Sequence, residues 1–245
     1  MKKIFTVCIL VLLLASLSGC MIVALDGISG NAVHGTGDNV TRDFAVGSFT
    51  GINIVGEYVV VYRQAQENSI TVRMQENLFN YFNTTIENGI LRVYSDRNFR
   101  TTNENTPRIY VYAPYLSLAA FAGSAQLENW DIVRTTNLHV SVSGAASGNL
   151  PLEADNVEIN IAGAGSIDVT GTADTARISI AGAGDVDASG LQTRAAWADI
   201  AGAGTIEIAV SDTLDATISG TGNVWYVGNP QVNRSVAGIG RVQQR

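Results

Sequence analysis

Four carboxylates, Asp168, Asp185, Asp187 and Glu207, recur at fixed places after a repeated Gly-x-Gly, in "AGAGSIDV", "AGAGDVDA" and "AGAGTIEI". Asp168, Asp187 and Glu207 each follow the first glycine by five residues, and Asp185 by three. If the repeats stack as strands, equivalent carboxylates lie about 4.8 Å apart. That spacing suits a divalent cation or a basic partner. Asp185 and Asp187, two apart on one strand, would lie roughly 7 Å apart, within the range of inverting glycoside hydrolysis. The plainer reading is a solvated acidic ladder that keeps a flat β surface soluble and discourages edge pairing. Its like charges repel by roughly 1 kcal/mol per pair in water before screening. No Arg or Lys stands beside this ladder to hold a sugar acid, and the chain calls for no cofactor and no resident metal.

Two tryptophans, Trp197 and Trp225, fall at places where the repeats otherwise carry polar residues. An exposed indole stacks on sugar rings and is enriched in binding patches; it serves equally to cover a corner. His34 reads as a solvated linker residue, with no further ligand nearby at a metal-site spacing. His139 stands among Glu158 and Arg177, without the partners of a Ser-His-Asp set.

These residues must be positioned by the repeat itself. Aligned on the first glycine of each unit, Gly123, Gly144, Gly163, Gly182, Gly202, Gly220 and Gly238 follow at spacings of 21, 19, 19, 20, 18 and 18. At offsets −4, −2, +4 and +6, 24 of 28 residues are apolar; at −5, −3, +3 and +5 only 4 of 28 are. Strict odd–even segregation is the period of half-buried strands and excludes a helix. Each unit is therefore strand, Gly-x-Gly corner, strand and second corner, the glycines allowing a large turn by positive φ or close backbone approach. A near-constant period of this size predicts an all-β, parallel β-helix, right-handed by the general preference of parallel crossovers. The calcium-binding nonapeptide β-roll does not fit: Ile167 stands where its aspartate is required.

The N-terminus reads as an address. Met1, Lys2 and Lys3 precede an apolar stretch over residues 4–14, then "LSGC". A short apolar run behind two lysines is an export signal rather than a membrane span. The ending resembles the bacterial lipobox, which implies cleavage after Gly19 and acylation of Cys20. Multiple acyl chains anchor stably where one would not. Once Cys8 leaves with the signal, Cys20 is the lone cysteine and has no internal disulfide partner. The expected layout is signal peptide 1–19, flexible tether 20–43, β-rich N-terminal part 44–115 and repeats 116–245.

Within 44–115, "FTGINIVGEYVVVYRQ" predicts two short strands across Gly56, and "SITVRM", "ILRVYS" and "RIYVYAP" three more, with one helical turn at "ENLFNYF". Tyr58, Tyr62, Phe79, Tyr81, Phe82, Tyr110 and Tyr112 read as filler for a cap over the first repeat. The chain has 245 residues, 46% hydrophobic and 15% charged, with net charge −7. An acidic balance lacks the basic footprint of nucleic-acid binding.

The stretch from "GSFTGINIVGEYVVVYRQ" through "ILRVYS", then "YLSLAAFAGSAQL" and the Gly-x-Gly units, resembles the head GIN domain family, described as an autotransporter adhesin head. The resemblance covers roughly residues 44–245 and implies a β-helical fold, export and no catalytic residues. The expected function is a non-catalytic envelope lipoprotein, anchored through Cys20 in the outer membrane, that binds a surface glycan or protein. A structural or envelope-assembly spacer is the alternative, and a polysaccharide-active enzyme a third.

Overall fold

The computed structural model describes residues 32–245. The signal, the lipobox with Cys20 and the first part of the expected tether lie outside them. The strands are β1 (Val33–His34), β2 (Asn39–Phe44), β3 (Gly51–Gln64), β4 (Ser69–Gln75), β5 (Phe82–Glu87), β6 (Ile90–Ser95), β7 (Phe99–Arg100) and β8 (Arg108–Ala113). They continue with β9 (Leu118–Leu127), β10 (Val133–Ile161), β11 (Ala164–Gly220), β12 (Asn223–Val227), β13 (Gln231–Gly238) and β14 (Arg241–Gln244). The molecule is mostly β. β10 and β11 are long because the backbone stays extended through the corners of several units.

The units pair in parallel and in the register the glycines predict. Gly144 lies opposite Gly123, Ile180 opposite Ile161, and Gly238 opposite Gly220. Each sequence column thus becomes a row of hydrogen-bonded neighbours. Phe121, Val142, Ile161, Ile180, Ile200 and Ile218 form one inner row, each at most 2% exposed. Burying such a side chain is worth about 1.5–3 kcal/mol, so the row is a main source of stability.

The glycines have two reasons to be glycine. Gly182 has φ of +150°, a region other residues rarely adopt. A Cβ there would also sit 2.3 Å from the carbonyl oxygen of Gly163 in the neighbouring unit. The corners stack backbone on backbone.

The repeat begins earlier than its sequence spacing indicates. β3 is one continuous strand, not two, and Gly51–Val60 pair in parallel with Leu118–Leu127. Gly56, with φ of +128°, lies opposite Gly123 and belongs to the glycine row. The long excursion between these rungs hides the first from a period search. On the outer side of β3 lie β6 and β8, both parallel to it. Antiparallel strands then close this end: β5 on β6, β4 on β8 and β2 on β4.

Residues 39–43, expected in a flexible tether, form β2 of this closure together with Phe44. Val40, Arg42 and Phe44 share one side of the strand. Phe44 packs 5.2 Å from the Phe82 ring, and the Arg42 guanidinium lies 4.3 Å from the centre of Phe79. His34, expected in a solvated linker, sits in β1 beside β7, where its carbonyl accepts a 2.8 Å hydrogen bond from Asn77 Nδ2. Two apolar side chains and one edge to pair with suffice to order an otherwise polar stretch.

The predicted turn at Glu76–Tyr81 is a 3-10 helix that buries Leu78 and Phe79. Tyr58, Tyr62 and Phe82 are buried as cap filler, with burial holding the Tyr58 hydroxyl far above its usual pKa and Tyr62 up to about 12. Trp130 joins the first rungs: its Nε1–H donates to Val60 O at 2.9 Å, and its ring lies 5.5 Å from Tyr62 and 6.3 Å from Phe121.

Candidate binding face

Three of the four acidic residues have partners of their own. Asp187 Oδ1 accepts from the Ser189 hydroxyl at 2.6 Å and the Ser189 N–H at 2.9 Å, two residues further along β11. Those bonds, hydroxyl first, hold the Asp187 carboxyl below the usual range, and the Arg245 charge adds to them. Asp185 Oδ1 accepts the Thr205 N–H of the next unit at 2.9 Å. Glu207 pairs with Arg245, and its side chain is only 18% exposed. The expectation of no base beside the ladder is therefore corrected, because Arg245 lies far along the sequence but folds back onto Glu207. Asp168 lies opposite Asn149 and is exposed. Among the described residues, no three His, Cys, Asp or Glu side chains gather as a metal site would require.

Trp225 lies in the same row as Glu207, between it and Gln243, and is half-buried. Neighbouring strands cover its flanks.

A different row brings polar and aromatic groups together. Five residues before the glycines stand His139, Glu158, Arg177 and Trp197. His139 Nδ1 lies 3.2 Å from Glu158, which also accepts from Asn160 Nδ2 at 2.9 Å. That amide, then the charges of His139 and Arg177, hold Glu158 below the usual carboxylate range. Arg177 pairs with Asp199 at 3.3 Å and spreads over the half-buried Trp197 ring, 5.2 Å from its centre. A cation over an indole face is worth about 0.5–1 kcal/mol at an exposed site. The side chains of His139, Glu158, Arg177 and Asp199 are each 40–47% exposed. The arrangement is a fixed planar aromatic and guanidinium surface, edged by a carboxylate, an imidazole and an amide. It can stack against a ring and exchange hydrogen bonds with hydroxyls. Its members were visible in sequence as the column around His139, a signal that the acidic column overshadowed.

The family described as "Putative auto-transporter adhesin, head GIN domain" matches residues 48–230. This chain belongs to that family. Solved structures share the fold of this head GIN domain. A "putative adhesin" from Bacteroides fragilis is 22% identical with a TM-score of 0.79, covering 87% of this chain and 100% of its own. Two others, from Parabacteroides merdae and Parabacteroides distasonis, are each 23% identical with TM-scores of 0.66 and 0.65. Both cover 88% of this chain and 100% of their own. No curated protein matches the chain. The family is not known for enzymes, and the partner of His139 here is a carboxylate rather than a nucleophile.

Proposed function

We propose that this head GIN domain is a non-catalytic binding module whose face around Trp197 contacts carbohydrate at the cell envelope. The observation that carries this reading is the Trp197 ring overlaid by Arg177 on an open, hydrogen-bonding row. Stacking on an aromatic plane with polar groups around it is the chemistry of sugar recognition. The scaffold is read as a right-handed parallel β-helix, supported by the in-register parallel rungs. Residues 1–20 support lipid attachment at Cys20, and Met21 after it, rather than Asp, supports delivery to the outer membrane.

The test is the full chain in detergent on a glycan array, with calcium and with chelator. Retention of a defined glycan class, lost in Trp197→Ala at unchanged melting temperature, is expected. Silence across the array favours an envelope spacer, and release of shortened glycans favours an enzyme. Cys20→Ser should move the protein out of the membrane fraction; persistence there would remove the lipid anchor from this reading.

A further inference from the structure

The two outermost rungs of the stack are finished differently. At the C-terminal end, β13 pairs only with β11 and β14 only with β12, so their other edges carry unpaired backbone groups among the described residues. The inner row ends here in the open: Val236 is 41% exposed, and Ile239, in the corner, is 85% exposed. Exposed sheet edges of this kind are normally blunted or covered.

The charge of this rung is also distinct. Residues 231–245 contain Arg234, Arg241 and Arg245 and no Asp or Glu, in a chain of net charge −7. The ion pairs of the described residues take Arg245 to Glu207 and include neither Arg234 nor Arg241. Arg234 occupies the inner row, opposite Ala216, with Val232 opposite Leu214 and Val236 opposite Ile218. The surface offered to a next strand is therefore apolar, cationic, apolar at alternate residues, beside a row of free backbone donors and acceptors.

We propose that this edge takes up an extended polypeptide segment from a partner, added as one more strand, with the inward pattern apolar-x-carboxylate-x-apolar. Main-chain pairing with β13 supplies affinity, while the alternate side chains seat on Val232, Arg234 and Val236 and set specificity. A second copy meeting edge to edge would place arginines against arginines, so charge disfavours self-pairing.

The probe is a labelled Thr-Val-Thr-Glu-Thr-Val-Thr peptide, titrated against the full chain in detergent and read by fluorescence anisotropy. Saturable binding is expected, at least tenfold weaker when Lys replaces the central Glu and abolished when Pro replaces the central Thr residues. Arg234→Glu should reverse the preference between the Glu and Lys peptides. Arg234→Met, which leaves no charge, should bind both equally and guards against a variant that fails to fold. No binding, or equal binding of the Glu and Lys peptides to the unmodified chain, overturns the proposal. So does concentration-dependent dimerisation abolished by Arg234→Glu, which would make the edge a self-interface. Trp197→Ala should leave peptide binding unchanged, separating this edge from the carbohydrate face.

Discussion

Ile54 and Val236 occupy the same inner row at opposite ends of the stack, yet Ile54 is 2% exposed and Val236 41%. Both sit in register, two residues before a glycine of the corner row. Beyond Ile54 lie Val93 on β6 and the antiparallel closure, with Phe44, Phe79 and Phe82 packed together. Beyond Val236 lies no further rung among the described residues. Register is therefore a property of the repeat, whereas burial depends on what is stacked outside it. An end rung inherits the pattern without the burial, and its unpaired edge is what makes it a surface for another strand.

The largest effect should separate the middle of the stack from its end. Ile180→Asp places a charge in the sealed row, with neighbours Ile161 and Ile200, and should cost more than about 4 kcal/mol in urea unfolding. Val236→Asp makes the same chemical change where water already reaches and should cost within about 1 kcal/mol. Ser179→Asp, one residue from Ile180 and facing outward, should be nearly silent. Similar losses for Ile180→Asp and Val236→Asp would break the comparison, because the end rung would then be as sealed as the middle.

A backbone version of the same comparison uses the corners. Added Cβ atoms would meet a neighbouring carbonyl oxygen at 2.3 Å in Gly182→Ala and at 2.1 Å in Gly238→Ala. Both residues also have positive φ, +150° and +140°. In the middle the clash cannot be escaped without parting two rungs, and about 3 kcal/mol is expected. At the end the last rung can open locally, limiting the loss to about 1 kcal/mol. Hydrogen exchange sharpens the outcome: Gly238→Ala should expose amides of β13 while those near Gly182 stay protected. Exchange spreading through the whole stack would mean the rungs open as one unit.

The stacked rungs were legible because one inner row and one glycine row recur every 18–21 residues, and both have a single physical cause. The first rung was not, because Gly56 and Gly123 are separated by an excursion that builds the closure. β2 was hidden for another reason. Its order comes from β4 and from the Phe79 and Phe82 rings, none of which leaves a trace in the composition of residues 39–44. The face around Trp197 was half legible: His139, Glu158 and Arg177 stood out as neighbours, but the overlay of Arg177 on Trp197 is a matter of side-chain direction. The acidic row was half legible because only one of its compensations is local in sequence. Ser189 is two residues from Asp187, but Arg245 reaches Glu207 from the last rung.

That reach gives the smallest effect, and its sign decides what the acidic row is. Asp187 is held below its usual range by the Ser189 hydroxyl and N–H, with a contribution from Arg245. Its folded pKa therefore lies below an unfolded value of about 4. The stability it contributes is fully present above that pH and is lost as pH falls through the folded value. Asp187→Asn keeps an acceptor oxygen for Ser189 but removes the charge that strengthens the bond. The expected result at pH 7 is a loss of about 0.5 kcal/mol, since the group is largely exposed and screened. The gap between the two proteins should close as pH falls through the folded value, below which the native carboxyl is protonated too. Calcium or chelator should move neither melting curve. If like-charge repulsion governed the row instead, Asp187→Asn would be the more stable protein at pH 7, and high salt would shrink its advantage. Destabilisation that fades with acid assigns Asp187 to its bonds with Ser189; stabilisation that fades with salt assigns it to a repelling ladder.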